Sequence, residues 1–295
     1  MKLSKKNILL IAGGTGFIGR SIIEDLGEFY EIRILTRDRE KTGKSFYHWN
    51  PEKGEIDEKA LHNVTHIINL CGAPIVGKRW TQKRKEELSK SRVLPAQFLH
   101  SKFKKSTDLK QYISASGINC YDLNFPSKEY VEEDAYGEDF VSQLVKDWEQ
   151  AADVFKEICK VVKLRISFVL SEKGGSLSLF EKPIKMGFAA ILGKGNQAIP
   201  WIFIDDLVQI VKFSIEKNIG GTFNTNAGNT TNAELTKLLV KKNKRKIWLP
   251  KVPGIMLYII LGSSSVLILK GIRASSKKIE KEGFVFQCKQ LEKGL

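Results

Sequence analysis

The sequence predicts an α/β protein: a doubly wound parallel sheet with a smaller C-terminal region beside it. Three observations carry that reading. Short β-branched or apolar runs alternate with amphipathic stretches, the pattern of parallel strands covered by helices on both faces. A glycine-rich turn joins the first apolar run to the first amphipathic stretch. Finally, 295 residues with 42% hydrophobic and 27% charged residues suit one large domain or two intimate ones. That composition excludes a disordered polycation and a disulfide-stapled miniprotein.

Taken in order, the expected strands are Ile8–Ala12, Glu31–Thr36, His66–Leu70, Gln111–Ser114, Val161–Ile166 and one around Gly221–Asn224. The expected helices are Phe17–Phe29, Thr81–Phe103, Asp139–Ile158, Asp205–Glu216 and Asn232–Lys242, each with apolar residues three and four apart, as in Phe140, Leu144, Trp148 and Ala152. Past about Ser171 the alternation loosens. Gly174-Gly175 through Gly195 and the tail from Asn232 read as additions over the carboxyl edge of the strands, where ligands bind. The expected division is 1–230 as a nucleotide-binding domain with a cap insertion at about 171–200, and 231–295 as a helical cap or substrate region.

Gly13-Gly14-Thr15-Gly16-Phe17-Ile18-Gly19 follows the first strand and opens the first helix. Gly13, Gly16 and Gly19 let the backbone turn sharply, approach a pyrophosphate and pack helix on strand, while the helix N-terminus offers unpaired amides to the anion. In this strand–turn–helix context the turn reads as a Rossmann-type dinucleotide cradle, binding through Gly13, Thr15, Gly16, Phe17, Ile18 and Gly19. The second strand ends in Thr36-Arg37, where an NAD site places a carboxylate. An arginine there clasps a 2′-phosphate, so NADP(H) is expected over NAD(H). Asp38 either opposes that reading or orients Arg37, and an exposed loop arginine is the plain alternative.

Forty-eight Lys and Arg against 33 Asp and Glu give a net charge of +15. The densest run, Lys241 to Lys246, closes a helix and complements its dipole. No nucleic-acid module accompanies it, so no nucleic-acid partner is expected. Cys71, Cys120, Cys159 and Cys288 lack metal or redox spacing, and the four histidines form no ligand cluster, so neither a metal nor a disulfide framework is expected. The basic start leads into an apolar run, Ile8–Ala12, that is too short for a secretory signal. Val252–Leu269 is uncharged between Lys251 and Lys270, but Pro253, Gly254 and the Gly262–Ser265 break make two short buried helices the expectation. A cytoplasmic protein is expected and membrane contact is not, although association through residues 252–269 with their basic flanks stays open as a remote alternative.

GGTGFIGR, LTR, and Asn69-Leu70-Cys71-Gly72 followed by Ala73-Pro74-Ile75 are joined by Lys78-Arg79-Trp80-Thr81, Ser91-Arg92, Ser114-Ala115-Ser116, Lys146-Asp147-Trp148-Glu149, Gly193-Lys194-Gly195 and Trp201 to Leu207. With Gly283-Phe284-Val285-Phe286 near the end, the whole chain resembles an atypical extended short-chain dehydrogenase/reductase. It resembles in particular the "epimerase family protein" subgroup, NAD-dependent epimerase/dehydratase-like, with its C-terminal domain of unknown function. The resemblance implies that Leu70, Cys71 and Gly72 lie along the adenosine half of the cofactor. It implies that Ser114 to Ser116 and Val169 border the nicotinamide. Glu87 and Arg92 are either cofactor contacts or solvated helix residues.

Extended members use a Tyr-x-x-x-Lys pair, the lysine lowering the tyrosine's pKa for proton transfer. If Glu149 marks the register, the two positions here are Val141 and Val145, with Lys146 one residue off and about 100° around the helix. Ser116, to polarise a carbonyl, and Tyr121, to donate a proton, are the remaining catalytic candidates, with Tyr136, Asp139 and Lys146 as further polar groups; Ser116 as a strand-end cap and Tyr121 as a half-buried loop aromatic are the plainer alternatives. Trp201, Phe203 and Phe180 with Gly187 and Gly193–Gly195 could line a cleft over the nicotinamide, but core packing is the plain alternative for the aromatics, and only the loop glycines point to close ligand approach. Two functions stay open: an NADP(H)-binding oxidoreductase or epimerase-like enzyme on an unknown small molecule, or a non-catalytic dinucleotide sensor or interaction protein.

Overall fold

The computed structural model describes residues 7–41, 43–125, 127–175 and 177–295; the basic start, Met1–Lys6, lies outside them. In chain order the elements are β1 (Ile8–Ala12), α1 (Phe17–Leu26), β2 (Glu31–Thr36), β3 (Phe46–Asn50), β4 (Glu55–Ile56), β5 (His66–Asn69), α2 (Gln82–Phe103) and β6 (Gln111–Gly117). Then come β7 (Glu129–Tyr130), α3 (Phe140–Asp153), β8 (Lys160–Ile166), β9 (Phe168–Leu170), α4 (Leu177–Lys185), β10 (Ala198–Phe203), α5 (Ile204–Glu216), β11 (Gly221–Thr225) and β12 (Gly228–Thr231). The chain finishes with α6 (Asn232–Lys242), α7 (Gly254–Leu261), α8 (Val266–Leu269), β13 (Arg273–Ala274), α9 (Lys277–Lys281) and α10 (Leu291–Gly294).

The main sheet runs β11-β8-β6-β5-β1-β2-β3-β4, parallel except for the β3–β4 hairpin at its edge. β1 shows why it sits at the centre. Its five residues are all buried, and their side chains alternate between two apolar layers: Leu9 and Ile11 pack with Ile22 and Leu26 of α1 and with α5, while Ile8, Leu10 and Ala12 pack with Ala96 and Leu99 of α2 and Phe155. Strand order reverses between β1 and β5, so the crevice at their carboxyl ends is the topological switch point, where ligands bind in open α/β sheets.

A smaller sheet, β12-β10-β9, stands beside the main one. The chain end packs back on the body: Ile279, Phe284, Phe286 and Leu291 join the α1/α5 layer, and the buried Asp206 carboxylate accepts the Gln287 amide at 2.7 Å. The stretch 252–269 does form two short helices joined by a 3-10 turn, as expected. Contrary to expectation α7 is not buried, since only Leu257 of it is. Among the described residues no helix is long and apolar enough to cross a membrane.

Candidate functional site

The glycine turn lies at the switch point, and its spaces are too tight for side chains. Gly13 has φ +81°, and a Cβ there would stand 2.9 Å from the Leu70 carbonyl carbon. A Cβ on Gly19 would come within 2.6 Å of the Gly13 carbonyl oxygen, so strand and helix touch backbone to backbone. The Gly16 amide donates to the Gly13 carbonyl at 3.0 Å and closes the turn. At the start of α1 no side chain caps the helix and no acidic residue stands in the first turn. Amides of Phe17, Ile18 and Gly19 are therefore left for an anion, and the cradle fits a dinucleotide pyrophosphate. The turn also meets the Gly174-Gly175 loop, where a Cβ on Gly175 would stand 2.8 Å from the Phe17 ring.

At the end of β2, Thr36 is buried and its hydroxyl accepts the Asp38 amide at 3.1 Å. The Asp38 carboxylate takes the Glu40 amide at 3.0 Å and lies 3.8 Å from Lys41, so it does not orient Arg37. Arg39 pairs with Glu55 at 3.2 Å. Arg37 is exposed and has no hydrogen bond or ion pair among the described residues. Its charge reaches the Cys71 thiol across the switch point, although burial dominates there and pushes the thiol up to about 12.

After β5, the Asn69 side chain shapes the turn: it donates to the Tyr112 hydroxyl at 2.8 Å and accepts the Cys71 amide at 3.1 Å. Arg92 is buried under the next residues. Its guanidinium donates to the Ala73 and Leu88 carbonyls at 3.0 and 2.9 Å, lies over the Trp148 ring, and would touch any Cβ on Gly72. Burial, with the nearby Arg84 charge, lowers it to about 10, so it stays cationic at neutral pH. Glu87 is exposed and pairs with Arg84 at 2.6 Å, which holds its carboxyl below the usual range. Both residues thus already have partners in the protein. Val169 is buried in β9, paired in register with Ile202.

Ser116 and Tyr121 meet in a buried ionic cluster that the sequence reading did not foresee. Ser116, Arg165 and Asn224 form one rung across β6, β8 and β11. Arg165 donates to Glu149 of α3 through Nε at 2.8 Å and Nη2 at 3.1 Å, and to the Tyr121 hydroxyl at 2.8 Å. The same carboxylate accepts Ser116 at 2.6 Å and Tyr136 at 2.7 Å. Tyr121 gives its own proton to Asn224 Oδ1 at 2.7 Å. Lys163, two residues before Arg165 and so on the same strand face, pairs with Asp153, four residues after Glu149 on the same helix face. Burial would raise the Glu149 pKa, but Arg165, Ser116 and Tyr136 together outweigh it and hold the carboxylate below its usual value. Burial drives Tyr121 well above a free tyrosine. Ser114 is buried beside them with its hydroxyl on the Ala115 carbonyl.

This placement changes what Ser116 and Tyr121 have at hand. Each hydroxyl proton is already committed to an internal acceptor, and the Tyr121 side chain is wholly enclosed, its ring stacked on Tyr130. At the Tyr-x-x-x-Lys positions, Val141 and Val145 are buried, Val145 against Gly117, while Lys146 is exposed. One signal for the cluster was present in the sequence: two cations, Lys163 and Arg165, inside the otherwise apolar run Val161–Ile166 require carboxylates opposite them when that run is buried. Of the two readings of the aromatics, core packing holds for Trp201, buried with its ring against Gly228, and for the half-buried Phe203, which packs beside Gly294.

Residues 9–225 match the NAD dependent epimerase/dehydratase family, and residues 252–295 match a domain of unknown function, DUF1731. Epimerase family protein Mb2239 of Mycobacterium bovis is 32% identical over 95% of this chain and 93% of its own length. Epimerase family protein SDR39U1 of Mus musculus is 30% identical over 97% and 98%. The crystal structure of human epimerase family protein SDR39U1 (isoform2) with NADPH superposes with a TM-score of 0.86 at 26% identity, covering 97% of each chain. Match, length and fold agree: the chain belongs to the NAD dependent epimerase/dehydratase family.

Proposed function

We propose that this protein binds NADP(H) in preference to NAD(H) and acts as an oxidoreductase or epimerase-like enzyme on a small molecule. The observation that carries the reading is Arg37, a free cation at the end of β2 beside a turn that only backbone can line. In this assignment the amides of Phe17, Ile18 and Gly19 take the pyrophosphate beside Thr15, with Gly13 and Gly16 shaping the turn. Thr36 and Arg37 meet the adenosine ribose and its 2′-phosphate, where a planar guanidinium gives bidentate, charge-assisted bonds. Backbone at Leu70, Cys71 and Gly72 flanks the adenosine half, and Ser114 and Val169 border the nicotinamide. Arg92 acts through the loop it holds, and Glu87 through Arg84. Bound there, the nicotinamide supplies a carbon that accepts or donates hydride. The human relative's structure with NADPH supports the phosphate-bearing cofactor. The four free cysteines suit a reducing compartment such as the cytoplasm.

A second reading, a dinucleotide-binding protein without turnover, draws on the buried Val141 and Val145 and on the engaged Ser116 and Tyr121 hydroxyls. Fluorescence titration with NADPH and NADH tests the first claim: NADPH binds more tightly, and equal affinities overturn it. A carbonyl-substrate screen following NADPH oxidation, repeated with Ser116→Ala, separates the two readings. Turnover lost in the variant supports the enzyme, and absence of turnover across the screen supports the sensor.

A further inference from the structure

α7 is an unusual helix for a protein surface. Its sequence, Gly-Ile-Met-Leu-Tyr-Ile-Ile-Leu, has no charged residue, yet only Leu257 is buried. Ile255, Met256, Tyr258, Ile259 and Ile260 are each between 50% and 66% exposed. At about 100° per residue they cover more than half of the helix circumference, with Leu257 on the remaining arc. Scattered exposed apolar side chains are ordinary, but five on one short helix make a patch of the kind that marks an interaction surface. Trp248, in the loop before α7, is also exposed, at 69%, its indole donating to the Gly187 carbonyl at 2.9 Å.

The charge of the segment that carries this patch says what covers it. Between Leu235 and Ile279 there are eleven Lys or Arg and no Asp or Glu, so this segment holds most of the chain's +15. Only Lys242 and Lys278 among them form ion pairs within the described residues, with acids outside the segment. Lys251 is exposed just before the helix, Lys270 follows α8, and the Arg79 guanidinium bonds the Ile259 and Ile260 carbonyls at the far end of α7. A second copy of the chain would bring the same excess of positive charge. An apolar helix rimmed by unpaired cations instead complements a surface that is apolar inside and anionic outside.

We propose that α7, with its basic rim, docks this protein peripherally on anionic lipid membranes, the helix lying at the headgroup boundary without spanning. The full chain is tested by co-sedimentation with vesicles of phosphatidylcholine alone and of equal parts phosphatidylcholine and phosphatidylglycerol. Wild type partitions onto the anionic vesicles at least about tenfold better than onto the neutral ones, and added salt weakens it. Ile255→Asp/Ile259→Asp lowers that partition by at least about tenfold, and Lys246→Gln/Lys251→Gln lowers it as well. All these positions are exposed, so thermal midpoint and NADPH affinity stay at wild-type values and mark the variants as folded. Wild type that ignores anionic vesicles overturns the proposal, as does an Asp variant that binds them equally. A lipid-free dimer that Ile255→Asp/Ile259→Asp dissociates also overturns it, since a second copy then occupies the face.

Discussion

Replacing Glu149 by Leu removes one carboxylate and strands several groups. Glu149 and Arg165 have side chains 1% and 3% exposed, and the carboxylate receives two bonds from Arg165 at 2.8 and 3.1 Å besides those from Ser116 and Tyr136. In the variant, Arg165 keeps only the Tyr121 hydroxyl and the Glu132 carbonyl. Breaking one side of a buried pair costs about 3–5 kcal/mol, because the surviving charge is uncompensated. That is a large part of a net stability of about 5–15 kcal/mol. At about 2–4 °C per kcal/mol, the thermal midpoint falls by roughly 6–20 °C. Urea denaturation followed by circular dichroism reads the change. Glu149→Leu/Arg165→Met, which removes both charges, recovers most of it. A single variant within about 1 kcal/mol of wild type refutes the reasoning, because it would mean that Arg165 reaches water or another anion. The pH dependence has a fixed sign. The folded Glu149 pKa is depressed, so its contribution is complete above the unfolded value of about 4.3 and is lost as pH falls through the lower folded value.

Gly19→Ala places a Cβ 2.6 Å from the Gly13 carbonyl oxygen and from the Gly14 Cα, so the turn must open. It destabilises the fold by about 1–3 kcal/mol and weakens dinucleotide binding more than tenfold in a titration read by nicotinamide fluorescence. Tyr121→Phe removes the acceptor of one Arg165 bond and the donor to Asn224. It lowers stability in urea by about 1–3 kcal/mol while leaving dinucleotide affinity near wild type; an unchanged denaturation midpoint contradicts the cluster as drawn.

Features set by neighbouring residues were legible in the sequence. β1, β2 and β11 start where the apolar runs start, and Asn232–Lys242 is helical over its predicted length, closed at its front by a reciprocal Thr231–Glu234 cap. The glycine turn and the free arginine were also readable, because strand, turn and helix follow one another within a dozen residues. β9, β10 and β12 were not, since a small sheet whose strands lie far apart in sequence leaves only short, ambiguous apolar runs. For Trp201 and Phe203 the sequence left cleft and core packing open, because their packing partners, Gly228 and Gly294, lie elsewhere in the chain. The Arg165 cluster draws on β6, the segment after it, α3, β8 and β11, and side chains meeting across that many elements leave no spacing to read. α7 was expected in the core on hydrophobicity alone, which does not say whether a helix faces protein or something outside it.

The central claim is that Arg37 reads the phosphate that distinguishes NADPH from NADH. The measurement is the ratio of NADPH to NADH dissociation constants by isothermal titration, in wild type and in Arg37→Ala. Loss of a charge-assisted bidentate contact of about 1.5–3 kcal/mol predicts that NADPH binding weakens by roughly ten- to 150-fold, while NADH binding changes little. A wild-type ratio that favours NADPH and collapses in the variant is the expected result. The same ratio in both proteins, or equal weakening of both cofactors, contradicts the assignment of Arg37.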